Sequence, residues 1–178
     1  MGMATPHSHC HHCGTAFRSE LQGNPEKLCS RCKMYTYLNP TPVSVILVPT
    51  FVHTGIVGLY SVRRGIEPKK GMMALPGGFI LEGETWKVAG AREVWEELQI
   101  EISNPEENIE AFGVESNPEG TRVLVFGVVR SGRALTVHDF KVSEEALERG
   151  IFTRILRREE IAFPSHEQMI DQYFRSGL

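Results

Sequence analysis

The feature that most restricts this chain lies between Gly78 and Ile100. Gly78 is followed six residues on by Glu84 and, eight residues after that, by the run Arg92-Glu93-Val94-Trp95-Glu96-Glu97. Thr85 can cap a helix, and the residues after it predict a helix reaching about Leu98. With Glu93 set to zero on a helical wheel, Glu96 falls at roughly −60° and Glu97 at roughly +40°. The three acids therefore share one narrow face. Val88, Ala91, Val94, Trp95 and Leu98 lie opposite and predict the stripe that docks on a core. Ala89 and Gly90 fall on the acidic side, where small residues leave room for a ligand.

Acids at i, i+3 and i+4 repel, at roughly 0.2–0.5 kcal/mol per exposed pair. No lysine lies one turn away among them, and Arg92 falls off to one side at roughly −100°. Taken alone, Glu-x-x-Glu-Glu is equally compatible with a solvated acidic face. With Gly78, Glu84 and Arg92 in register, that reading no longer suffices. A hard divalent cation relieves the repulsion, and Mg²⁺ bridges carboxylates to substrate phosphates through oxygen ligands. The pattern points to metal-assisted phosphate chemistry.

The four cysteines all lie in the first 32 residues, as Cys10-x-x-Cys13 and Cys29-x-x-Cys32. Two such knuckles bring four thiolates to one tetrahedral centre, which suits a structural Zn²⁺. Two disulfides and free thiols are the alternatives. His7, His9, His11 and His12 crowd the first knuckle and read as exposed loop residues, since four cysteines already fill four positions. Residues 1–40 thus read as a zinc ribbon, joined through Asn39-Pro40-Thr41-Pro42 to a domain over residues 41–178. Arg18, Lys27, Arg31 and Lys33 nearly balance Glu20 and Glu26. That favours a structural or dimer-contact role for the ribbon over nucleic-acid binding.

A chain of 178 residues accommodates one ordinary domain plus such a module. Its 41% hydrophobic content allows a core, and a net charge of −3 gives no sign of a general nucleic-acid or membrane surface. No apolar run approaches a membrane span, and the start lacks an apolar signal core, so a cytoplasmic protein is expected. Val43–Val48 reads as a strand, with Ile56–Val62 as its antiparallel partner after a turn at His53-Thr54-Gly55. Further strands are expected at 72–75, 100–102, 109–114, 122–129 and 151–156. A closing helix over 166–174 has Met169, Ile170 and Phe174 as its apolar side.

Gly78 to Ile100 resembles the signature box of the Nudix hydrolases, matching every defining position except Gln99, where that family usually has a helix-ending glycine. Leu75-Pro76-Gly77-Gly78 and Arg63-Arg64 also look like that family, over roughly residues 41–178. The resemblance implies an α/β class protein, a Nudix-type α/β/α sandwich with a mixed sheet, preceded here by the small ribbon. It also implies hydrolysis of a nucleoside diphosphate-linked compound with Mg²⁺ or Mn²⁺. Glu96 and Glu97 are then direct ligands, with the Gly77 carbonyl as a further one. Glu93 is either a ligand or the base, and Arg92 orients a neighbouring carboxylate. Glu84 binds a second ion or braces the loop. Some family members take the base from a later loop. Glu144, Glu145 and Glu148 lie in such a stretch, which reads first as a solvated helix or turn; among the three, Glu145 is the favoured base.

The Cys-x-x-Cys-Gly opening and the Arg-Glu-x-Trp-Glu-Glu form look like ribbon-bearing enzymes acting on ADP-ribose or FAD, with AMP released. NADH diphosphatases are the neighbouring reading, although their Ser-Gln-Pro-Trp segment is missing and Ala162-Phe163-Pro164-Ser165 only echoes it. RNA 5′-end hydrolysis and a non-catalytic nucleotide sensor stay open. The partner expected is a small nucleotide, and a homodimer is admitted by analogy with the family. Phe79, Phe112 and Phe126 could stack a base but are read as core.

Overall fold

The computed structural model describes residues 7–21, 23–51, 57–130, 132–153 and 160–177. The chain divides into two compact units, Met1–Pro40 and Thr41–Leu178. In the first, β1 (Glu26–Leu28) pairs antiparallel with β2 (Tyr35–Tyr37). Its small core holds Cys10, Phe17 and Cys29. Lys27 is buried there, with its ammonium donating to the His7 carbonyl at 3.0 Å and lying over the Phe17 ring.

The second unit begins with β3 (Thr41–Leu47), β4 (Pro49–Phe51), β5 (Val57–Arg64), β6 (Met73–Ala74) and β7 (Gly77–Phe79). Helix α1 (Trp86–Leu98) follows, then β8 (Ile100–Ile102), the short α2 (Pro105–Asn108), β9 (Ile109–Ser116) and β10 (Arg122–Val129). The chain closes with β11 (Leu135–Val137), β12 (Ala146–Phe152) and α3 (Pro164–Ser176). One sheet runs β7-β3-β10-β9, with β3 and β10 parallel and the other pairs antiparallel, so it is mixed. A second sheet runs β12-β5-β4, with β6 added on β5, and β8 pairs with β11.

The apolar run in β3 has a simple cause. Successive side chains on a strand point to opposite faces. Val45 and Leu47 enter one core cluster with Leu124, Phe126 and Val128 of β10 and Met169, Ile170 and Tyr173 of α3. Ile46 and Val48 enter the other, with Val94 and Leu98 of α1. The central strands are covered on both faces, so they cannot alternate apolar with polar.

Three expectations are corrected. Val43–Val48 is not the partner of the following strand, because the chain switches sheets near Val48 and Pro49–Phe51 pairs with β5 instead. His53-Thr54-Gly55 and Ile56 lie outside the described residues. The late strand is Ala146–Phe152 rather than 151–156, and residues 154–156 lie outside the described residues. It pairs antiparallel with β5 through Glu148↔Arg63 to Phe152↔Leu59, a register legible only once β5 is in place. On α1, Val94 and Leu98 are buried, but Val88 and Trp95 are 39% and 43% exposed. The buried side is shifted toward Ala89, Gly90, Glu93 and Glu97.

Thr85 caps α1 by accepting from the Val88 N–H at 3.2 Å. At the other end Gln99 adopts the left-handed conformation, φ 56° and ψ 41°. Its side-chain amide donates to the carbonyls of Trp95 and Glu96 at 2.9 and 3.2 Å. These bonds satisfy carbonyls that a helix end leaves open and offset the strain of a non-glycine residue at this position. Replacing Gln99→Ala keeps the strain and removes those bonds, lowering stability by about 1 kcal/mol. Gln99→Gly removes the strain and lies above the alanine variant by about 1 kcal/mol. Urea titration of the three proteins checks the order, and an alanine variant as stable as the wild type would refute the capping role.

Candidate functional site

The loop Leu75-Pro76-Gly77-Gly78 delivers β7 against α1, and the acids of α1 meet it there. The Gly77 N–H donates to Glu97 Oε2 at 3.0 Å. A Cβ on Gly78 would stand within 2.3–2.6 Å of the Glu93 carboxylate, so only glycine lets that carboxylate lie against the strand. Glu93 and Glu97 are 9% and 8% exposed, which is exceptional for carboxylates. Burial pushes Glu97 up to about 8, outweighing its bond from Gly77. Burial also raises Glu93, even against the neighbouring guanidinium.

Arg92 does not stand aside from the acids as the wheel suggests. Its guanidinium bridges Glu84 through two bonds of 2.8 and 3.0 Å, Glu93 at 2.7 Å and Glu96 at 3.1 Å, and it donates to the Phe79 carbonyl at 3.0 Å. A long, forked side chain reaches acids that the angle of its Cα would not predict. Glu84 is thereby drawn into the group and its carboxyl is held below the usual range by Arg92, with help from the Leu81 N–H. Glu97 has no such bond. The small residues on the acidic side leave no room for a ligand either. A Cβ on Gly90 would meet the Ile46 side chain at 2.4 Å and Ser44 Oγ at 2.7 Å, so that space belongs to β3.

Glu145 is exposed, just before β12, and its charge helps raise both Glu93 and Glu97. Its backbone carbonyl accepts from the Gly65 N–H at 2.7 Å, which ties that stretch to the end of β5. Glu148 is engaged elsewhere, 2.6 Å from Arg63 Nε. Arg64 also acts on Glu97, favouring its charged form.

In the first unit, the sulfurs of Cys10, Cys13, Cys29 and Cys32 all lie within 4.8 Å of one another. The Cys10–Cys32 and Cys13–Cys29 separations are 3.7 and 3.6 Å. A tetrahedron of thiolates around zinc has edges of about 3.8 Å, and a disulfide would need about 2 Å. The donor set therefore fits zinc. Hydroxyls of Thr15 and Thr36 lie 3.3 and 3.8 Å from Cys13 and Cys10 sulfur. The carboxylates around Arg92 do not form so tight a group. Among the described residues only the four cysteines form such a group.

His166 escaped the sequence reading. It is buried in the first turn of α3, and its Nδ1 accepts from the Leu75 N–H at 3.1 Å. That bond anchors the loop leading into Gly77 and Gly78. Burial holds its pKa down to about 3, with Arg64 adding to the effect. A histidine at the start of an amphipathic helix carries no sequence signal of such a role. Phe112 and Phe126 pack in the core as expected, but Phe79 is 48% exposed.

The NUDIX domain model matches residues 40–168. In structure the chain is similar to a NUDIX hydrolase from Nitrosomonas europaea, with 25% identity, a TM-score of 0.69, and 95% of this chain and 91% of that one covered. It is also similar to the NUDIX domain of Shewanella oneidensis NrtR complexed with ADP ribose, at 18% identity and TM-score 0.61, covering 78% and 89%. A bifunctional NMN adenylyltransferase/ADP ribose pyrophosphatase from Francisella tularensis gives 20% identity and TM-score 0.58, with 79% of this chain matching 42% of that one. The last two speak for the fold alone. A sequence search of curated proteins returns no match.

Two measurements test the anchors described above. Metal analysis of the purified chain is expected to find one zinc, lost in Cys29→Ser; a zinc-free chain with four free thiols would refute the site. Because His166 is neutral when folded, its contribution to stability is present above about pH 6.5 and declines as pH falls toward 3. His166→Asn keeps an acceptor and removes the titration. Its unfolding free energy is expected to fall less steeply than the wild type's from about pH 7 to about pH 4.5, and parallel slopes would contradict this.

Proposed function

This chain belongs to the Nudix family, and from that premise we propose that it cleaves the diphosphate of ADP-ribose or FAD and releases AMP. It is a Nudix hydrolase. The observation that carries the proposal is the buried pair Glu93 and Glu97, set against Gly77 and Gly78 beside an arginine that holds three acids. Two buried carboxylates, both with raised pKa, are costly unless a cation or a proton joins them. The names of two structural neighbours carry ADP ribose, which supports that choice of substrate.

The donor set consists of hard oxygens and fits Mg²⁺ or Mn²⁺. Glu93, Glu96, Glu97 and the Gly77 carbonyl would hold it, with Glu84 at the margin. A bound divalent ion supplies charge neutralisation of the diphosphate and acidifies a water. The remaining roles belong to the protein. Arg92 fixes Glu84 and Glu93 in place, so that little reorganisation accompanies binding. Glu145 is solvent-accessible at the edge of the cluster and takes the proton from the attacking water. Glu93 is tied to Arg92 and serves as a ligand in this reading. The water oxygen forms a bond to one phosphorus, and the bridging phosphorus–oxygen bond breaks. ADP-ribose then yields AMP and ribose 5-phosphate, and FAD yields AMP and FMN.

The test is product analysis with ADP-ribose, FAD, NADH and a dinucleoside polyphosphate, each with Mg²⁺ and with Mn²⁺. AMP from ADP-ribose or FAD is expected. Glu97→Gln should lose turnover while still binding AMP, and Glu145→Gln should lower kcat on the order of 10²-fold. Wild-type rates in Glu97→Gln would sink the assignment of the metal site.

A further inference from the structure

Strand β7 is short and lies at the edge of the mixed sheet. Its residues alternate between the two faces. Gly78 is paired with Ser44, whose hydroxyl donates to the Trp86 carbonyl, so this position faces α1 and the carboxylates. Phe79 is paired with Val43, whose own partner across the sheet is Leu124, and it faces the other way. Arg122 sits two residues before Leu124 on β10 and shares that face. Its guanidinium lies over the Phe79 ring, 5.6 Å from the centroid.

Phe112 and Phe126 in the same unit pack into the core, whereas Phe51 and Phe79 are 79% and 48% exposed, and Phe79 carries a guanidinium over its ring. Arg63, Arg64, Arg92, Arg130, Arg149 and Arg175 each hold a carboxylate or a carbonyl. Among the described side chains of residues 41–178, Arg122 is the arginine that holds neither, and the ring of Phe79 is its contact. The pair is also bound to the carboxylate cluster. The Phe79 carbonyl accepts from the same Arg92 guanidinium that holds Glu84 and Glu93, and Gly78, one residue away, touches the Glu93 carboxylate.

We infer that Phe79 and Arg122 form the recognition element for the nucleoside half of the substrate, the base stacking on the Phe79 ring with the Arg122 guanidinium completing the platform. This rests on the nucleotide-hydrolase reading above. The chemistry follows from the pair itself. An exposed aromatic ring offers a face that any nucleobase can stack on, and a planar cation adds to the stack. Stacking reads the presence of a base more than its identity. The pair therefore selects for nucleotides over base-free sugar phosphates and discriminates weakly between adenine and guanine. A diphosphate-linked substrate crosses the edge of β7, with its phosphates on the carboxylate side and its base on the Phe79 side.

The test separates this inference from the reading it rests on. AMP and, as a base-free control, ribose 5-phosphate are titrated into the full chain by calorimetry in buffer with no added Mg²⁺ or Mn²⁺, and KM and kcat are measured separately. Phe79→Ala is expected to weaken AMP binding about tenfold and leave ribose 5-phosphate binding unchanged, with Phe79→Trp restoring AMP binding. Arg122→Ala is expected to weaken AMP in the same direction, by less. With ADP-ribose or FAD, Phe79→Ala should raise KM by more than it lowers kcat. AMP affinity unchanged in Phe79→Ala and Arg122→Ala overturns the inference, as does a wild type that binds ribose 5-phosphate as well as AMP. If AMP binding depends on Phe79 but no diphosphate substrate is cleaved by the wild type, base recognition stands and the hydrolase reading falls.

Discussion

Burial of two carboxylates on one helix face is the constraint on which the second unit depends. Glu93 and Glu97 project from α1 toward β7 rather than toward solvent, and the fold has to accommodate them. It does so with backbone and cation. Gly77 offers an N–H to Glu97, Gly78 gives up a side chain so that Glu93 can approach, and Arg92 ties Glu93 to Glu84 and Glu96. The loop that carries those glycines is held from the far side by His166, a neutral imidazole on α3. Elements distant in sequence thus meet at one edge of the mixed sheet. The helix carries the acids, the loop carries the glycines, and α3 fixes the loop.

Glu97 makes no ion pair among the described residues, and burial drives it toward the protonated form despite the opposing charge of Arg64. In the first unit four sulfurs at separations that fit a tetrahedral ion lie within the small core around Phe17.

Much of the fold was legible because local rules and tertiary needs agree. The run of β3 and the strand Arg122–Val129 stand out because both faces are buried. Helix α1 was legible from Thr85 and the spacing of its residues, and the left-handed Gln99 from its departure from a glycine pattern. The stripe on α1 was misplaced because Trp95 and Val88 are apolar without being buried, whereas Glu93 and Glu97 are buried without being apolar. The pairing of β4 with β5 was missed because the switch of sheets near Val48 leaves no mark in an apolar run. Strand β12 begins earlier than the sequence suggests because Glu148, in a stretch that reads as solvated, pairs with Arg63 across a sheet.

By itself, the sequence determined which residue types are present at spacings that suit metals, namely four thiols in two knuckles and a glycine, arginine and glutamate pattern around one helix. Spacing along a helix or a knuckle is local geometry and is carried by the chain. Only the tertiary structure decided which of the acids are buried, that Arg92 joins them, that Glu145 acts on them from a separate element, and that His166 anchors their loop. It also decided that Phe79 stays outside the core with Arg122 over it. Those facts depend on contacts between segments far apart in the chain, and desolvation and charge act through space rather than along the backbone.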